Sequence, residues 1–71
     1  MNIEYAQQLY LELASLENQG ITLWLEGCPS DSKHVASQIN IHDESLYMRD
    51  YIFEEGTLKE VHFNKVKKAN D

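Results

Sequence analysis

The sequence predicts an α+β fold, with one N-terminal helix packed on a three- to four-stranded antiparallel β-meander in a single domain over residues 1–71. Three observations predict it. Apolar residues recur at helical spacing over residues 2–19, and the period changes to two after Gly20. Glycine and short polar clusters then divide the remaining chain into strand-length pieces. Finally, 71 residues are too few to bury two separate cores.

The helix rests on Ile3, Ala6, Leu9, Tyr10, Leu13 and Leu16, which share one face, with Asn2 as cap and Gly20 as stop. Glu4, Gln8, Glu12, Ser15 and Asn18 form the wet face, and Leu11 falls among them, about 160° from Leu13 at 100° per residue. Residues 21–26 alternate as a strand: Ile21, Leu23 and Leu25 point one way, and Thr22, Trp24 and Glu26 the other. Residues 27–32 read as a turn because they combine Gly27, Pro29 and short polar side chains.

Residues 34–42 present Val35, Ile39 and Ile41 in alternation with His34, Gln38, Asn40 and His42. A short helix capped by Asp31 or Ser32 competes for this segment, and its β-branched content tips the expectation to strand. A turn at residues 42–45 leads into a strand over 46–54. Glu55-Gly56 then makes a hairpin to a last strand over 57–66, and residues 67–71 are a polar end. Tyr47, Tyr51 and Phe53 fall on one face of the third strand and Leu46, Met48 and Ile52 on the other. One helix covers one face of such a sheet, so apolar mass is left over on the second.

Charge is unevenly placed. Residues 1–56 hold ten of the twelve carboxylates against Lys33 and Arg49, a net −8, whereas residues 57–71 hold four lysines against Glu60 and Asp71, a net +2, for −6 overall. A field of that sign repels nucleic acid and anionic lipid and attracts basic protein surfaces. The C-terminal lysines with Phe63 are read as protection of a sheet edge rather than as a phosphate-binding stripe. No apolar run approaches the roughly 20 residues of a membrane span, and the opening Asn2 and Glu4 do not resemble a secretory leader. A cytoplasmic location is the expectation.

Chemistry-bearing motifs are sparse. Cys28 is the one cysteine and closes no disulfide; with Glu26 and Asp31 as neighbours it lacks the cationic setting of a nucleophile. His34, His42 and His62 sit on separate expected strands without metal-ligand spacing. Ser30-Asp31-Ser32-Lys33 matches the S-x-x-K string of serine acylases without the further motifs those enzymes need. Gly20, Gly27 and Gly56 are too dispersed to cradle phosphate. Adjacent Glu54 and Glu55 belong to a solvated turn.

The expectation is therefore a small acidic non-enzymatic protein-interaction module, a regulator or inhibitor of a basic protein, with no cofactor, no metal and no membrane contact, and with nucleic acid disfavoured as a partner. The candidate contact patch is Trp24, Tyr47, Arg49 and Tyr51, since aromatics with polar tips and arginine dominate interface hot spots. The second reading is a homodimer with a small-molecule site at the subunit seam.

Overall fold

The computed structural model describes residues 3–42 and 46–66, arranged as α1 (Ile3–Asn18), β1 (Thr22–Leu25), β2 (Cys28–Ser30), α2 (Ser32–His42), β3 (Tyr47–Glu54) and β4 (Thr57–Lys65). The Asn2 cap, the turn residues 43–45 and the end at 67–71 lie outside the described residues. The class is α+β, as expected. The architecture departs from the expected one in three places: the described residues form two helices, the sheet order is β2-β1-β4-β3, and the central pair β1·β4 is parallel. The sheet is mixed, not an antiparallel meander.

Helix α1 ends as its sequence implies. Gly20 takes φ +86°, its N–H bonds the Glu17 carbonyl at 2.9 Å, and the Ile21 N–H bonds the Leu16 carbonyl at 3.1 Å. This doubly bonded glycine cap turns Ile21 back against the helix and sends the chain into β1. Leu9 and Leu13 are buried while Leu11 is exposed.

The stretch 34–42, expected as a strand, is α2. Its N-terminus explains why: the Asp31 carboxylate accepts the His34 N–H at 2.8 Å, the Asp31 carbonyl accepts the first helical bond from Val35, and the Glu17 carboxylate of α1 accepts the Ser32 N–H at 3.1 Å. Two carboxylates thus satisfy free amides and face the positive end of the helix dipole. Val35, Ala36 and Ile39 are buried on one helical face, and Ile41, the residue that completed the apparent alternation, is exposed. Capping and burial outweigh the β-branched bias here, which is worth only tenths of a kcal/mol per residue.

The stretch 27–32, expected as a turn, contains β2. Glu26 and Gly27 take φ +50° and +81°, as the central pair of a tight two-residue hairpin does. The chain therefore reverses immediately and pairs Leu25 with Cys28 and Trp24 with Pro29. Pro29 is tolerated because β2 is an edge strand. The second hairpin repeats the device, with Glu55 at +53° and Gly56 at +79°.

Both helices lie on the same face of the sheet. Leu9 and Leu13 from α1 and Val35, Ala36 and Ile39 from α2 meet Leu23, Val61 and Phe63, together with Ile21 just before β1, in one buried cluster. An irregularity opposite Ile52 and Phe53 inserts an extra residue, Lys59, into β4. That bulge changes the parity of β4 and lets Leu58 pack against the core although Glu60 and His62 face away. Among the described residues no helix is long and apolar enough to cross a membrane.

Candidate functional site: the open sheet face

Strand alternation and register fix what the uncovered face displays. Leu23 pairs with Val61 and Leu25 with Phe63 in the core, so the intervening pairs Thr22–Glu60 and Trp24–His62 point to the other side. On β3, Asp50 lies opposite His62, Ile52 opposite Glu60, and Met48 opposite Asn64. One row thus crosses all four strands as Pro29, Trp24, His62 and Asp50, and a second carries Thr22, Glu60 and Ile52.

The centre of this face is a stacked pair. The Trp24 indole and His62 imidazole have ring centroids 5.0 Å apart and planes only 3° from parallel, a distance at which aromatic rings attract. His62 Nε2 lies 2.8 Å from Glu60 Oε1, which fixes the imidazole's tilt. Trp24 Nε1 donates to Thr22 Oγ1 at 3.2 Å. Both rings are half-buried. Met48 and Ile52 are exposed toward the β3 side.

A shallow cleft of about 340 Å³ opens beside Trp24, where Gly20, Ile21 and Thr22 enter β1 and Pro29 and Ser30 run alongside. Its carboxylate, Glu17, is already bonded to the α2 N-terminus. Among the described residues no group of three or more His, Cys, Asp and Glu side chains is placed to hold one metal ion. Cys28 is exposed on the β2 edge.

The four residues expected to form one patch are divided between the two faces. Trp24 is on the open face. Tyr47, Arg49 and Tyr51 point to the helical side of β3, because their partners Lys65, Phe63 and Val61 do. Tyr47 packs against the core, and its phenol is pushed up in pKa, first by burial and then by the charge of Glu26. Arg49 donates to both Glu12 carboxylate oxygens, at 2.8 and 3.3 Å, and its guanidinium carbon lies 5.2 Å from the Phe63 ring centroid. Its pKa is raised further above the usual arginine range, chiefly by the Glu12 hydrogen bond, with Tyr51 contributing a second one. Arg49 is thus a bolt between β3 and α1.

Sequence reasoning weighed His62 only as a metal ligand and passed over Glu60 and Asp50. The Glu60-x-His62 alternation was visible, but the parallel register that stacks His62 on Trp24 was not. Comparison with protein families, curated proteins and solved structures found no match.

Proposed function

We propose that the protein is a small non-enzymatic interaction module that binds a basic protein surface through its open sheet face. The supporting observation is the Trp24–His62 platform, left uncovered by both helices and bordered by Glu60 and Asp50. An arginine side chain suits this arrangement: its planar guanidinium stacks on an aromatic face while a neighbouring carboxylate accepts its N–H groups. The net charge of −6 steers such a partner toward the protein and makes the encounter salt-dependent.

The test uses Trp24, the single tryptophan, as its own reporter. An arginine-rich peptide titrated into the full chain should change Trp24 fluorescence saturably, and more weakly as salt rises. Trp24→Ala and Asp50→Asn should each weaken binding of the same peptide, measured by calorimetry, while circular dichroism stays native. Absence of a saturable response, or equal response to an acidic peptide, would remove this reading.

A further inference from the structure

We propose that the outer edge of β3 pairs with β3 of a second copy of this chain, antiparallel about a two-fold axis through Tyr51, joining two four-stranded sheets into one continuous sheet. The starting point is backbone direction. The Phe63 carbonyl accepts from the Glu26 N–H at 2.8 Å, so the backbone groups of Phe63 face β1. At the other end of the ladder, Val66 N–H bonds the Leu46 carbonyl at 2.7 Å, which sets the even-numbered residues of β3 toward β4. Arg49, opposite Phe63, and with it Tyr47 and Tyr51, turn their N–H and C=O groups away from the sheet. The bulge belongs to β4, so the alternation continues unbroken to Phe53.

The two edges of the sheet differ in a way that singles out β3. Edge β2 has three residues, one of them Pro29, and both features discourage pairing with another chain. Edge β3 has eight residues with neither proline nor lysine. It also carries half of the exposed large apolar side chains among the described residues: Met48, Tyr51, Ile52 and Phe53, with Phe53 61% accessible.

Among axes near the middle of β3 (Tyr47–Glu54), which pair most of the strand, charge selects the register. A two-fold axis perpendicular to the sheet keeps the helices of both copies on one side, and then residues on matching faces oppose one another. An axis through Arg49 sets two guanidinium groups against each other, one through Asp50 sets two carboxylates together, and one through Ile52 opposes Asp50 with Glu54. Such like-charge pairs destabilise a sheet. The axis through Tyr51 avoids all of them: Arg49 faces Phe53 of the second copy, Asp50 faces Ile52, and Met48 faces Glu54. Tyr51 meets Tyr51 as a hydrogen-bonded pair, and Arg49 and Phe53 bring a cation beside an aromatic ring.

The test is sedimentation equilibrium of the full chain over a concentration series, combined with amide hydrogen exchange. The mass should rise from 8.3 kDa to twice that, and the amides of Arg49, Tyr51 and Phe53 should gain protection with concentration while those of Met48, Asp50 and Ile52 are protected throughout. Tyr51→Lys, which sets two like charges across the axis, should hold the chain at the monomer mass. A Cys28→Ser chain carrying Tyr51→Cys should oxidise to a covalent dimer, since hydrogen-bonded partners lie about 5.5 Å apart at Cα, within disulfide reach. Asp50→Cys or Ile52→Cys in the same background should not. A monomer up to millimolar concentration, or crosslinking centred on residue 50 or 52, overturns the proposal. It does not rest on the peptide-binding reading: two −6 chains associate better as salt rises, whereas a basic partner dissociates.

Discussion

Arg49 of β3 makes two attachments, one to Glu12 of α1 and one to the Phe63 ring of β4, and a mutant cycle separates them. The first is the Glu12 pair at 2.8 Å, with side-chain exposures of 24% for Arg49 and 50% for Glu12. At that exposure the pair is worth about 0.5–1 kcal/mol, the upper part of the surface range, because the guanidinium reaches both carboxylate oxygens. The second is the fully buried Phe63 ring 5.2 Å below the cation, which contributes about 1 kcal/mol between the exposed and desolvated limits. Glu12→Ala should therefore cost about 0.5–1 kcal/mol and Arg49→Ala about 2 kcal/mol, since it removes both and some stem packing. In a chain of this size about 1 kcal/mol corresponds to roughly 4–8 °C in melting temperature. Thermal unfolding followed by circular dichroism reads both variants, with the double variant closing the cycle. High salt should shrink the Glu12 contribution and leave the ring contribution in place. If Arg49→Ala costs no more than Glu12→Ala, the ring contact adds nothing. If the coupling energy vanishes at low salt, Arg49 is not a bolt between β3 and α1.

Two further outcomes follow from backbone and burial. Glu55 sits at φ +53° in open surroundings, where an ordinary side chain costs about 1–2 kcal/mol. Glu55→Asn should recover about half of that, raising urea resistance, and Glu55→Ala should recover none. The Tyr47 phenol has its folded pKa raised above the ordinary value of about 10, by burial first and Glu26 second. The protonated form is thus the one the fold prefers. Its contribution is full below about pH 10 and falls as pH rises through the raised value. In an absorbance titration of the folded chain, Tyr47→Phe should remove an ionisation step that lies above the ordinary tyrosine value.

The parts of the fold legible in the sequence are those governed by local pattern. The α1 periodicity, the Gly20 stop, the alternation of residues 21–25 and the Glu55-Gly56 reversal all depend on neighbours within a few positions. The missed parts each required a competition between local signals or a contact distant in sequence. Val35, Ile39 and Ile41 satisfy a strand pattern, but Val35, Ala36 and Ile39 satisfy a helical one equally well, and the decision came from Asp31 and from Glu17, a residue of another element. Pro29 argued against a strand at 28–30, yet an edge position needs no N–H from it. Parallel pairing of β1 with β4 left no trace in either strand, because a strand covered on one face alternates in the same way whichever direction its neighbour runs. Of the candidate site, Trp24 was read correctly as a residue off the core face. Its partners were not, since Tyr47 and Tyr51 share parity with core-facing Val61 and Phe63 only once the register is set.

The open face and the β3 edge, taken together, give the molecule a consistent geometry. A two-fold axis through Tyr51 places both Trp24–His62 platforms on the side opposite the helices. Each platform spans β1 and β4, with β3 between it and the axis, so the two Trp24 side chains are five strand spacings apart, about 24 Å at roughly 4.8 Å each. A partner with two basic sites at that separation then gains from the second contact without any new interaction in either site, because the second binding event is intramolecular. A partner with one site gains nothing. Comparing a single arginine-rich peptide with a tandem one joined by a linker of suitable span, on wild type and on Tyr51→Lys, separates these cases. Enhancement of the tandem peptide in wild type alone is what edge pairing and platform binding jointly require. Equal enhancement in both chains would place the second contact within one copy.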